Sequence, residues 1–432
     1  MRFVSTRGGT PPTGIDAALI AGLAPDGGLY VPERIPAFAS STTQTASPSL
    51  AATATEALSP FFVDSSLRER LPTLCARAYD FDAPLVPMRG RGDQLLELFH
   101  GPTAAFKDYA ARFLAECLSA LRAPGAAVTT ILVATSGDTG AAVAGAFHRR
   151  PGFDVVILYP EGRVSPRQAH GLECWGDNVR TFRVDGSFDD CQRMAKTALS
   201  DRDLRERMAL TSANSISLGR LLPQLAYYAH TARNFFAQHG TALNLIVPTG
   251  NLGNAAAALL AKRMGFPIGD LVLATNANDV LPRFFVGGDY APEATKATLA
   301  NAMDVGAPSN FERLRHWHAD DTALRAAVSA HAVDDATIRT VIAAAPDRHG
   351  IVPCPHTACG LHVLETLRAQ GDPRLWTVVA TAHPAKFDSI VEPLVGHAVE
   401  VPPALAECLA RPAHGEALAA DDAVLSEKLS DR

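Results

Sequence analysis

The sequence predicts an α/β fold built on mainly parallel sheets. Five short runs of β-branched and aliphatic residues recur along the chain, each apolar throughout rather than alternating, and Ala-rich helical segments separate them. The runs are TTILVAT ending at Thr135, DVVILYP ending at Pro160, LNLIVPT ending at Thr249, LVLAT ending at Thr275 and WTVVAT ending at Thr381. Strands buried on both faces read this way, and segments such as GAAVAGAFHRR and AAAALLAKRMG supply the covering helices. With 432 residues, 47% of them hydrophobic, the chain is long enough for two or three domains.

The elements follow in order. The opening MRFVSTRGGTPPTG has no apolar leader core, and no later apolar run approaches the roughly 20 residues that span a bilayer, so a soluble chain without a targeting segment or membrane partner is expected. Residues 40 to 56, SSTTQTASPSLAATATE, read as a surface connector that drifts into a helix, LAATATEALSPFF, of an N-terminal domain. Next comes ELFHGPTAAFKDYAARFLA, residues 97 to 115. If Thr103 caps a helix here, Phe106, Ala110 and Phe113 line its apolar face, and Asp108, Arg112 and Glu116 its solvated face.

Lys107 fits neither set. Its neighbours at helical spacing are Ala104, Ala111 and Leu114, and it stands in the first turn, where the helix dipole disfavours a cation. Two readings are open. The side chain reaches out to water, as helical lysines usually do, or a crowded pocket depresses its pKa and yields an amine that is nucleophilic towards aldehydes, pyridoxal phosphate being the commonest. The second reading demands a phosphate cradle, a partner for the pyridine nitrogen and a holder for a substrate carboxylate.

Ligands of open α/β sheets collect beyond the carboxyl ends of the strands, and four of the strands end in polar turns: TSGDTG, TGNLGN, TNANDV and TAHPAKF. TSGDTGAAVAGAF enters a helix and is dense in donors suited to a carboxylate; plain N-capping by Ser136, Asp138 or Thr139 is the alternative. GNLGNAAAALLAK, from Gly250, is a glycine-containing turn entering a second helix, so its amides and dipole suit a phosphate. It matches neither the P-loop nor the dinucleotide pattern, and taken alone it is also a close-packed turn. The charged tail after Pro412 reads as a solvated helix or frayed end.

Composition narrows the classes. Lys and Arg total 39 against 45 Asp and Glu, a net charge of -6 without a basic run, which argues against nucleic acid. Cys75, Cys117, Cys174, Cys191, Cys354, Cys359 and Cys408 are too sparse for a disulfide framework, so a reduced cytoplasm is expected. CPHTAC, from Cys354 to Cys359, lacks the paired spacing of a zinc site; packing thiols and no metal are expected.

Eight blocks then carry a resemblance: STRG at Ser5, GLAPDGGLYVPE at Gly22, LFHGPTAAFKD, ATSGDTG, SANSISLGRLLPQ, PTGNLGN, MDVGAPSNFER and ATAHPAKF. In this order, over nearly the whole length, they resemble the threonine synthase family, pyridoxal-phosphate enzymes of the tryptophan-synthase-like fold type II. The resemblance implies a large parallel-sheet domain at residues 91–112 and 216–432, a small mobile α/β domain at 113–215 and a family-specific N-terminal domain at 1–90. It implies Lys107 as the Schiff-base lysine, Phe106 as a stacking wall, Gly250, Asn251, Leu252, Gly253 and Asn254 as the cofactor-phosphate turn, and Thr381 as the hydroxyl facing the pyridine nitrogen. Ser136, Gly137, Asp138 and Thr139 match the loop for the substrate carboxylate, and Asn214, Ser215 and Arg220 a segment of the substrate phosphate pocket. The chain departs from the family's usual residues at Ala104, Leu252, Cys354 and Cys359, none of which removes a group that carries chemistry.

The reaction so implied converts O-phospho-L-homoserine and water to L-threonine and phosphate in a monomer or homodimer. A phospholyase on the same scaffold, ending in a 2-oxo acid, is the nearest rival; a serine or threonine dehydratase and a catalytically silent homologue are the others.

Overall fold

The computed structural model describes residues 1–38 and 48–431. The start of the expected connector therefore lies outside the described residues. The helix it leads to is present at Leu50–Leu58, where the Ser49 hydroxyl accepts the Ala52 amide.

Two mainly parallel sheets organise the chain. The larger has six strands in the order Ser329–Ala332, Ile268–Thr275, Leu243–Pro248, Trp376–Ala380, Gln94–Glu97 and Leu85–Pro87. All its pairings are parallel except that of Leu85–Pro87 with Gln94–Glu97. The smaller has five strands, all parallel, in the order Gly415–Ala419, Val179–Asp185, Phe153–Pro160, Thr129–Ala134 and Ala209–Thr211. The unbroken apolar runs have the cause inferred for them. Consecutive residues Leu245, Ile246 and Val247, like Ile131, Leu132 and Val133, are all fully buried, which needs cover on both faces.

The N-terminal unit is a two-stranded antiparallel sheet, Phe3–Ser5 with Tyr30–Pro32, and three helices, Ile15–Ala21, Leu50–Leu58 and Leu71–Ala78. It is fastened to the rest by side chains. Glu312 accepts the Thr6 hydroxyl at 2.6 Å and the Arg7 guanidinium at 3.2 Å, and Glu56 pairs with Arg233.

The structure redraws three expected boundaries. Leu85–Pro87 belongs to the larger sheet rather than to the N-terminal unit. Helix Lys107–Leu121 runs across the expected junction at 112/113. The tail after Pro412 is neither frayed nor a lone solvated helix: Gly415–Ala419 adds an edge strand to the smaller sheet, and helix Asp422–Ser430 buries Leu425 and Leu429 against it. The reason is local. The edge strand Val179–Asp185 offers an unpaired ladder, and a five-residue partner with Leu418 inward is enough to occupy it.

Candidate active site

Lys107 stands where two chain reversals are sewn together. The Phe106 amide donates to the Thr381 carbonyl at 2.9 Å and the His383 amide to the Ala104 carbonyl at 3.0 Å, joining the GPTAAF turn to the turn after strand Trp376–Ala380. Ala104 lies in the left-handed region, φ 52°, so the chain turns sharply and the helix begins at Lys107, not near Thr103. Phe106 is the N-cap residue, and its ring centroid lies 5.6 Å from the Lys107 ammonium.

This start corrects the expected role of Asp108. The residue is buried, not solvated: its carboxylate accepts the Thr103 amide at 2.8 Å and the Thr103 hydroxyl at 2.6 Å, closing the turn ahead of the helix. Burial pushes its carboxyl up from the ordinary value, with the Thr103 bonds opposing. Lys107 is half-buried. Burial, aided by the nearby cations Arg220 and Lys386 and opposed by Asp138, pulls its pKa down to about 8.

The Ser136–Thr139 turn is not held by the caps proposed for it. Gly137 is the N-cap of helix Asp138–Phe147, and the Thr135 hydroxyl accepts the amides of Gly137 and Gly140, each at 3.0 Å. The hydroxyls of Ser136 and Thr139 are thus left out of the cap. Gly137 has φ 133°, and a Cβ there would meet the Gln168 side chain at 2.8 Å. Asp138 is buried and ion-paired with Lys386 at 2.7 Å. Burial opposes its ionisation, but the ammonium groups of Lys386 and Lys107 outweigh that and hold its carboxyl well below the usual range.

The turn from Gly250 to Asn254 is shaped by its own asparagines. Asn254 accepts the Thr249 hydroxyl at 2.6 Å and the Ala255 amide at 2.9 Å, and donates to the Pro248 carbonyl. Asn251 donates to the Ser215 hydroxyl at 2.7 Å and accepts the Ser309 amide at 2.6 Å. Leu252, at φ 63°, and Gly253 then turn the chain into helix Gly253–Arg263. With both amide side chains engaged, the turn presents main-chain donors at the positive end of an 11-residue helix. A Cβ at Gly250 would meet the Met303 backbone at 2.6 Å, so the MDVGAPSN loop lies directly on this turn.

Arg220 is buried, and its guanidinium donates to the Ala213 carbonyl at 2.6 Å. Its Nε and the neighbouring Asn214 Oδ1 are buried without a partner among the described residues. Burial lowers the Arg220 pKa to about 10, with Asp108 and Tyr227 opposing. A buried cation with an idle donor is what a phosphate would complete. The residues present fit pyridoxal phosphate: a free amine, an amide-lined helix entrance, and the Thr381 turn bonded to the residue before the amine.

Two expected features lie elsewhere. The TNANDV turn grips a loop: Asn276 donates to Thr298, the Ala300 carbonyl and Asp304, and Asn278 to the Lys296 carbonyl. Cys354 caps helix Pro355–Ala369 and Cys359 donates to the Pro355 carbonyl, both buried. A cavity of about 360 Å³ opens beside Glu97, His100, Cys354, Ala382 and His383, and neither Lys107 nor the turns at 136–139 and 250–254 line it.

Reading the sequence missed Lys386, Gln168 and Asn301. Lys386 donates to the Thr103 carbonyl at 2.8 Å; Gln168 donates to Asp138 at 3.2 Å and accepts from Asn301 at 2.9 Å. The one available signal was a lysine within the apolar run HPAKF, directly after a strand end.

Family models match nearly all of the chain: "Pyridoxal-phosphate dependent enzyme" at residues 84–384, "Threonine synthase N terminus" at 2–79 and "Threonine synthase, C-terminal" at 357–428. The chain is 38% identical to the threonine synthase of Escherichia coli (strain K12), with 94% of each chain covered. The crystal structure of Escherichia coli threonine synthase superposes with a TM-score of 0.90 at 36% identity, covering 100% of both chains. A structure of PLP-bound threonine synthase from Brucella melitensis superposes at 0.89 with 34% identity, covering 99% of this chain and 98% of that one.

Proposed function

We infer the reaction from a plain premise: this chain belongs to the threonine synthase family. It is a pyridoxal-phosphate-dependent lyase that converts O-phospho-L-homoserine and water to L-threonine and phosphate. The observation that carries this at the level of residues is an amine of depressed pKa, Lys107, near a carboxylate-type turn and a buried, incompletely partnered arginine.

When bound, pyridoxal phosphate supplies an aldehyde for amines and a ring that takes up the charge of a deprotonated carbon. We assign its phosphate to the amides of Gly250, Asn251, Leu252, Gly253 and Asn254, its ring nitrogen to the Thr381 hydroxyl and its ring face to Phe106. The substrate carboxylate goes to Ser136–Thr139 and its phosphate to Asn214, Ser215 and Arg220. Lys107, neutral at a mildly alkaline pH, takes the proton from Cα and moves protons at Cβ and Cγ. The Thr381 hydroxyl, being neutral, would leave a bound ring nitrogen less protonated than a carboxylate would. Phosphate leaves from Cγ and water adds at Cβ, so water must be kept out early and admitted late.

Among the described residues no helix is long and apolar enough to cross a membrane. The seven cysteines are free and buried, and on that ground we place the enzyme in the cytoplasm; we assign it as a monomer or homodimer. The test is phosphate release from O-phosphohomoserine with threonine measured in parallel. Equal amounts are expected; stoichiometric 2-oxobutyrate without threonine would make the protein a phospholyase instead.

A further inference from the structure

Asp138 poses an electrostatic problem for the carboxylate turn. It is the first residue of helix Asp138–Phe147, 3% exposed, inside the same Ser136–Thr139 segment assigned to the substrate's α-carboxylate. Two carboxylates about 5 Å apart at an effective dielectric of about 20 repel by an amount worth roughly a hundredfold in affinity. A bare Asp138 would therefore turn away the group that its segment is built to hold.

Lys107 faces Asp138, but the ammonium in direct contact with it is another. Lys386, also 3% exposed, puts its ammonium 2.7 Å from Asp138 Oδ1 and 2.8 Å from the Thr103 carbonyl. The pair spans both sheets: Asp138 follows strand Thr129–Ala134 of the smaller, and Lys386 follows strand Trp376–Ala380 of the larger. Gln168, held by Asn301 from the larger sheet's side, donates to the same Asp138 oxygen at 3.2 Å. Both ions are thus desolvated, paired and fixed from several directions, the condition under which a buried ion pair persists.

We propose that Lys386 is a positioning residue that neutralises Asp138, so that the Ser136–Thr139 turn accepts the α-carboxylate of the amino-acid substrate. This rests on the assignment of that turn to the carboxylate. The effect acts on the carboxylate and not on the phosphate end of the substrate. It is relieved equally well by removing the negative charge instead of compensating it.

The experiment uses cofactor-loaded enzyme, with Lys386→Met, Asp138→Asn and the double variant. Calorimetry gives Kd for two probes: L-threonine, which has the carboxylate and lacks the phosphate, and 3-aminopropyl phosphate, which is the substrate without its carboxylate. Lys386→Met is expected to weaken L-threonine about a hundredfold and 3-aminopropyl phosphate less than about threefold. Asp138→Asn/Lys386→Met is expected to bring L-threonine back to within about tenfold of the wild type. With O-phosphohomoserine the single Lys386 variant should raise KM far more than it lowers kcat. Equal weakening of both probes, or no rescue by the second substitution, overturns the proposal. Should Lys386→Met fail to fold, the double variant, which leaves no unpaired buried charge, decides the matter by the same two affinities. A wild type that makes no threonine would instead refute the functional reading, so the two failures are told apart.

Discussion

Lys107 lives in a pocket that taxes its charge, and this has a signed consequence for the cofactor-free protein. Its pKa falls from the ordinary 10.5 to about 8, chiefly through burial. Below pH 8 folded and unfolded chains both hold the proton, and the folded state bears the full penalty. Between about pH 8 and 10.5 only the unfolded chain holds it, so the penalty shrinks as pH rises. Lys107→Met should therefore raise the stability of the apoprotein at pH 7, by about 1–3 kcal/mol, with the gain fading towards pH 10. Urea melts at the two pH values check this, and an equal gain at both would refute it. The lysine's discomfort was legible in sequence, from the dipole and the missing carboxylate neighbours. The fate of Asp108 was not, because the turn it closes takes its shape from bonds to the Ala104 and Thr381 region, far along the chain. Lys386 escaped for the same reason: its partner Asp138 opens the helix that follows a strand of the other sheet.

Among the elements, the glycine turn and the loop above it act as one piece. Gly250 has no room for a side chain against Met303, and a methyl there must push the MDVGAPSN loop or the turn aside. Gly250→Ala is expected to cost about 1–3 kcal/mol of stability and to weaken pyridoxal phosphate at least about tenfold, read by absorbance titration of the apoprotein. Retained affinity would detach the loop from the site. The C-terminal helix offers a second test: Leu425 is fully buried, and Leu425→Ala should destabilise by about 2–4 kcal/mol, whereas a solvated tail would tolerate it. Strands were legible because burial on both faces leaves an unbroken apolar run; their division between two sheets came only from the family resemblance, since parallel pairing leaves no local mark. GEALA escaped altogether. One inward leucine gives no periodicity, and the segment becomes a strand only because Val179–Asp185 lies open beside it.

The whole molecule is fastened through the neighbourhood of the site. Arg313, fully buried, donates to the Tyr30 carbonyl of the N-terminal unit at 3.1 Å, to the Ile216 carbonyl at 2.7 Å and to Asn310 Oδ1. Asn310 in turn donates to the Asn251 carbonyl at 2.9 Å. Arg313→Met leaves three acceptors without their donor and should lose on the order of 2–4 kcal/mol. Because two of those acceptors, the Ile216 carbonyl and Asn310, border the assigned phosphate turns, it should also weaken pyridoxal phosphate. Thermal melts with and without cofactor measure both, and a stability loss with unchanged cofactor affinity would confine Arg313 to bracing the N-terminal unit.

The edge strand Gly415–Ala419 also sets a timetable. Its ladder partner, Val179–Asp185, leaves the ribosome long before it, and four of the larger sheet's six strands are translated in between. The smaller sheet therefore carries an open, aggregation-competent edge until residue 419 has emerged. During synthesis the large sheet can settle first, while the half of the cleft that carries Asp138 is completed last. Nascent chains arrested before Gly415 should be the ones that chaperones hold.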